Sequence, residues 1–101
     1  MLRFYRTGRV KNGKNLFIEA VQWAKEVAEY LNGTYSLSMQ VYSEIFGDFG
    51  SIYWYVDYKD LATADAVGGK LMSDQKYWAM VNKGMELFID GTFHDKIMRL
   101  V

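Results

Sequence analysis

Hydrophobic spacing changes period in a fixed order along this chain, and that order leaves few folds open. A run with the two-residue period of a strand comes first, and a long run with the helical period follows. Two strand-like runs joined by Gly47-Asp48-Phe49-Gly50 come next, then a second helical stretch and a last strand. The reading is β-α-β-β-α-β.

The first strand spans Leu2 to Val10, with Leu2 and Phe4 on one face and Arg3, Tyr5, Thr7 and Arg9 on the other. A helix from about Leu16 to Leu31 carries one apolar stripe of Phe17, Ala20, Val21, Ala24, Val27, Ala28 and Leu31. Asn15 suits its N-cap, and Asn32-Gly33 suits its left-handed stop. The second strand, Tyr35 to Phe46, alternates Tyr35, Leu37, Met39 and Val41 with Ser36, Ser38, Gln40 and Tyr42. The third, Ser51 to Tyr58, is apolar or aromatic on both faces, the mark of a strand covered on both sides. Asp60 caps a helix through Leu71, with a bend or break expected at Gly68-Gly69. Ser73 caps a further helix from Asp74 to Leu87, Asp90-Gly91 turns the chain, and Thr92 to Leu100 is the last strand.

Two crossover helices and one hairpin decide the sheet. Right-handed crossovers give four antiparallel strands in the order 4-1-3-2, with the helices on one face: an α+β, ferredoxin-like fold. The other face then has no helix to cover it. Strand parity puts there Arg3, Tyr5, Thr7 and Arg9, then Ser36, Ser38, Gln40, Tyr42 and Glu44. It adds Tyr53, Tyr55 and Asp57, then His94, Lys96, Met98 and Leu100. So many large aromatics exceed what a monomer comfortably exposes. A homodimer through this open face is therefore expected, with Arg3 and Asp57 as a cross-strand ion pair within it.

Composition narrows the function classes. Residues 1–101 make one domain. Lys plus Arg equals Asp plus Glu at 12 each, which argues against electrostatic attraction to nucleic acid or an anionic membrane. The chain has no cysteine, so thiol chemistry, disulfides and zinc-thiolate sites are excluded. Arginines interrupt the first ten residues, which do not read as a signal peptide, and no apolar run is long enough for a membrane span. A cytoplasmic location is expected.

The segments Tyr58-Lys59-Asp60-Leu61-Ala62, Leu71-Met72-Ser73-Asp74-Gln75-Lys76-Tyr77-Trp78 and Leu87-Phe88-Ile89-Asp90-Gly91-Thr92 resemble the dimeric α/β-barrel superfamily. The cadence is similar to its small NIPSNAP-like and antibiotic-biosynthesis-monooxygenase-like members. The resemblance implies two open sheets closing into one barrel. It implies no single activity, since such members include cofactor-free monooxygenases, haem-degrading enzymes, isomerases and stress proteins. Haem-degrading members use an asparagine, a tryptophan and a histidine. Here Trp78 has no histidine on its helix and the first strand has no asparagine, so no haem, and no other cofactor, is expected.

Two functional readings stay open. One is a non-catalytic or small-ligand-binding dimeric module. The other is a cofactor-independent monooxygenase or isomerase acting on a small aromatic or polyketide-like compound. His94, the only histidine, and Tyr53 are the candidate catalytic groups, because histidine exchanges a proton near neutral pH. Arg9, Tyr42, Tyr53, Tyr55 and His94 are the candidate ligand contacts, with Arg9 offering a planar fork to an oxyanion. Asp95 should point away from His94. A lone histidine among scattered carboxylates gives no metal-ligand spacing, and no metal is expected.

Overall fold

The computed structural model describes residues 1–47 and 49–101. Its elements are β1 (Leu2–Arg9), α1 (Leu16–Tyr35), β2 (Gln40–Ser43), β3 (Ser51–Tyr58), α2 (Leu61–Met72), α3 (Gln75–Met85) and β4 (His94–Arg99). The sheet order is β2-β3-β1-β4, and every neighbouring pair is antiparallel. This is the 4-1-3-2 ferredoxin-like sheet that the pattern order implies, read from the other edge.

The register fixes the faces. Arg3 lies opposite Asp57, Tyr5 opposite Tyr55 and Thr7 opposite Tyr53, while on the other side Tyr5 lies opposite Lys96 and Thr7 opposite His94. These positions share the open face. Leu2, Phe4, Ile52, Trp54 and Val56 have the other parity and meet the helices.

The core sits on that helix side. Ala20 and Ala24 of α1 pack with Val10, Ile52, Trp54 and Phe88, and Phe17, Val21 and Met39 close around them. Farther along α1, Val27 and Leu31 pack with Tyr77 of α3, flanked by Leu37 and Leu71. The Trp54 indole N–H donates to the Ala24 carbonyl at 3.2 Å, so a buried polar atom ties β3 to α1.

Several boundaries move from their sequence positions, each for a local reason. Helix α1 runs through Asn32-Gly33 to Tyr35 and stops at Ser36, which takes the left-handed conformation at φ 54°. The Asn32 side chain is engaged elsewhere. Its amide donates to the Met39 carbonyl at 3.1 Å and its oxygen accepts from the Met39 N–H at 2.7 Å. That clamp holds residues 36–39 out of the sheet and shortens β2. Asn15 makes no side-chain cap and is itself left-handed at φ 66°.

Helix α2 does not break at Gly68-Gly69. Val67, which is buried, and Leu71 pack on either side of the pair and hold the helix through it. Asp60 caps it, accepting from the Thr63 N–H at 2.8 Å and hydroxyl at 2.7 Å. The cap of α3 is Asp74, one residue beyond the expected Ser73, which instead closes α2.

The β2–β3 connection starts at Glu44, earlier than Gly47, and Gly47 and Gly50 take positive φ. Asp48, part of the expected turn, lies outside the described residues. Past α3, Leu87 and Ile89 bond to Lys11 and Arg9, and Gly91 turns the chain into β4 at φ 78°.

Candidate functional site

Two surfaces of the sheet carry the chemistry. The open face is a panel of tyrosines. Tyr5 stacks on Tyr55 at 5.6 Å between ring centroids, and Tyr53 stacks on Tyr55 at 6.2 Å. Tyr42 meets Tyr55 edge-on at 5.4 Å. Cations border the panel, with Lys96 5.8 Å from the Tyr5 centroid and Arg3 5.9 Å from that of Tyr55. Arg3 is held by the expected ion pair to Asp57, at 2.8 Å.

Tyr42, Tyr53 and Tyr55 line a shallow pocket of about 510 Å³ with Arg3, Gln40, Ser43, Glu44 and Met98. The Tyr53 hydroxyl donates to the Glu44 carboxylate, and that bond raises the phenol above its ordinary pKa. Tyr53 therefore holds its proton at neutral pH and offers a ligand its oxygen lone pairs.

The sequence-predicted group is only partly gathered. Tyr42, Tyr53 and Tyr55 come together. His94 and Tyr53 flank Thr7 on opposite sides, two strand spacings or roughly 10 Å apart in backbone position. Arg9 lies farther along β1, opposite Ser51. His94 and Arg9 do not border the tyrosine pocket. Asp95 does turn away from His94, to the helix side.

The larger concavity lies on that helix side, between sheet and helices, with a volume of about 1080 Å³. Helix α2 borders it with Leu61, Ala62, Ala64, Asp65, Gly68 and Leu71, three of them alanine or glycine, and Phe4, Trp54 and Ile97 border it from the sheet. It is open to solvent along its edge, where Leu61, Trp78, Met85 and Ile97 are exposed, and clefts of about this size are where small ligands bind. Trp23, Trp54, Tyr58, Tyr77, Trp78 and Phe93 supply aromatic walls, and Leu31, Leu37, Val81 and Met85 supply aliphatic ones. Burial holds the Tyr58 phenol above its ordinary pKa.

A cluster of polar side chains, Arg6, Asp95 and Tyr77, interrupts this apolar lining, and Asp65 borders it. Arg6 makes a two-point ion pair with Asp95, Nε to one carboxylate oxygen at 2.7 Å and Nη2 to the other at 2.8 Å. Its Nη1 donates to the Tyr77 hydroxyl at 3.4 Å. The Asp95 hydrogen bond raises the guanidinium further, so it stays charged throughout the useful pH range. The sequence alone assigned Arg6, Asp95 and Tyr77 no role in a site. The signal was there: Arg6 shares its parity with Leu2 and Phe4, and Asp95 shares its parity with Ile97. Opposite charges on the covered parity of two adjacent strands are a pair in waiting.

Among the described residues, no three histidines or carboxylates gather to hold a metal ion, and no helix is long and apolar enough to cross a membrane.

The fold matches solved structures along its whole length. A NIPSNAP domain protein from Burkholderia xenovorans superposes with a TM-score of 0.82 at 17% identity, covering 100% of this chain and 95% of that one. A NIPSNAP family protein from Agrobacterium tumefaciens gives 0.79 at 18%, covering 99% and 92%. An antibiotic biosynthesis monooxygenase gives 0.72 at 13%, covering 100% and 99%. These likenesses show the ferredoxin-like fold in the form taken by NIPSNAP and monooxygenase-like proteins. No family model matches the chain, and no curated protein does.

Proposed function

We propose that the chain is a homodimeric module that binds a small molecule. Two copies meet through the tyrosine face, and each takes a ligand into the cavity between its sheet and helices. The observation that carries the reading is the cavity itself: about 1080 Å³, walled by aromatic rings, with the Arg6–Asp95–Tyr77 cluster set into the lining. A few placed polar atoms in an apolar hollow are the usual makeup of a ligand site.

The dimer is supported by the tyrosine panel. Tyr5, Tyr42, Tyr53 and Tyr55 stack on an uncovered sheet face, and burying a large apolar side chain contributes about 1.5–3 kcal/mol. A cytoplasmic location belongs to the same proposal, and cell fractionation tests it.

The test has two arms. Light scattering at micromolar concentration should report two chains per particle, and a monomer overturns the dimer. A thermal-shift screen of small aromatic compounds should raise the melting temperature, because a ligand that binds only the folded state stabilises it. A panel without a single stabilising compound overturns the ligand site.

The monooxygenase neighbour favours a second reading, a cofactor-independent oxygenase or isomerase acting on a small aromatic compound. In that reading the ligand lies on the inner sheet face against Tyr42, Tyr53, Tyr55 and Arg9, and His94 exchanges the proton. His94→Ala and Tyr53→Phe decide it. Unchanged affinity and turnover in both variants remove that site.

A further inference from the structure

We infer that Asp95 sets the charge selectivity of the helix-side cavity, which admits uncharged ring compounds bearing an oxygen acceptor and turns carboxylates away. The inference rests on the proposed ligand site and names the class of ligand that site takes.

The argument is one of charge and free donors. An arginine facing an apolar pocket would ordinarily mark a site for an acidic ligand. Here both oxygens of Asp95 grip Nε and Nη2 of Arg6, so the pair as a unit is neutral. The charged side chains lining the cavity, among the described residues, are Arg6, Asp65 and Asp95. Their sum is one negative charge. A carboxylate seated beside Arg6 would meet the Asp95 carboxylate already there, and like charges at an interface are a standard means of rejecting a ligand.

A donor remains. A guanidinium has five N–H groups, and among the described residues Nη1 reaches only the Tyr77 hydroxyl, at a long 3.4 Å. A carbonyl oxygen arriving from the cavity can take that donor at normal length without disturbing the ion pair. Trp23, Trp54 and Trp78 line the same cavity and give the rest of such a molecule aromatic surface to pack on. A cationic ligand seated beside the ion pair would meet the Arg6 guanidinium, just as a carboxylate would meet Asp95.

The experiment uses three probes of one shape: naphthyl methyl ketone, naphthoate and naphthylmethylammonium. Affinity is read by calorimetry. Location is read from the indole N–H resonances of the three tryptophans, all of which line this cavity and none of which lies on the tyrosine face. In the wild-type chain the ketone should bind about tenfold or more tighter than either ion, a difference of about 1.4 kcal/mol. Asp95→Asn should raise naphthoate affinity until the ketone preference is lost, and Asp95→Glu, which keeps the charge, should retain the preference.

Equal affinities, a preference for either ion, or a ratio untouched by Asp95→Asn overturns the inference and leaves the cavity reading standing. If Asp95→Asn does not fold, the wild-type ratio decides alone. Failure of all three probes to bind, or binding that leaves the indole resonances unmoved, overturns the cavity reading and the inference together.

Discussion

Trp23 and Gly84 meet where α1 passes α3, the indole occupying the space a Cβ at Gly84 would take. A methyl group at Gly84 would overlap indole atoms Cε2, Cδ2 and Cζ2. The ring has little room to give. Its N–H donates to the Met80 carbonyl at 2.8 Å, and the ring makes edge contacts with Trp54 and Phe88 at 5.8 and 5.5 Å between centroids. Gly84→Ala should therefore destabilise the protein by about 1–3 kcal/mol despite adding a better helix former, the usual cost of overpacking. Urea denaturation checks it, and an unchanged midpoint would mean that α3 slides freely over Trp23.

Asp74 joins the end of α1 to the start of α3. It accepts from the Tyr30 hydroxyl at 2.8 Å, from the Tyr35 hydroxyl, and from the Tyr77 N–H at 3.0 Å. The Tyr35 bond is the main cause that lowers the Asp74 pKa, and the same bond pushes the Tyr35 phenol up to about 12. The signs follow. A lowered carboxylate pKa gives stability present above the unfolded value near 4, lost as pH falls through the folded value. A raised phenol pKa gives stability present below about 10, lost as pH rises towards 12. In Asp74→Asn both losses should shrink. Melting temperature measured across pH reads this, and parallel curves for the two proteins would exclude the linkage.

Tyr55 stands at the centre of the tyrosine panel, touching Tyr5, Tyr42 and Tyr53. If two copies meet there, Tyr55→Asp places a charge where it would be desolvated. The variant should be monomeric at concentrations where the parent is dimeric, with its folded spectrum intact. A dimer of unaltered stability would put the subunit interface elsewhere.

Asn32→Ala removes both hydrogen bonds to the Met39 backbone. An orphaned, half-buried backbone donor and acceptor cost about 1–3 kcal/mol. Faster hydrogen exchange at the Met39 amide should accompany the loss. Exchange at the parent rate would mean another group takes over the clamp.

The alternation of polar and apolar residues in β1, β3 and β4 was enough to assign both faces, because a strand's side-chain period is two and a slip would bury Arg3 and expose Ile52. Element ends were less legible. Asn32-Gly33 reads locally as a helix stop, but the Asn32 amide bonds Met39 across a loop, and no local rule anticipates that. Gly68-Gly69 reads as a break, but the packing of Val67 and Leu71 outweighs a propensity cost of about 1 kcal/mol per glycine. The site was legible on one face only. The tyrosines announce themselves by parity. The helix-side cavity is lined from both helices and sheet, and becomes visible only when α2 is laid over the sheet. Arg6 and Asp95 needed the strand order as well, since their register across β1 and β4 spans most of the chain.

Strand β4 lies at the sheet edge, exposed along its whole length and joined to the molecule mainly through β1. A strand held on one side only frays first, at a free energy well below that of global unfolding. The same strand supplies Asp95 and Ile97 to the cavity wall. Each fraying event therefore opens that wall and frees Arg6 from its counter-ion at the same moment. Access to the hollow and the ionic character it presents to an arriving molecule are coupled through one local equilibrium, whose amplitude is set by the ladder between β1 and β4.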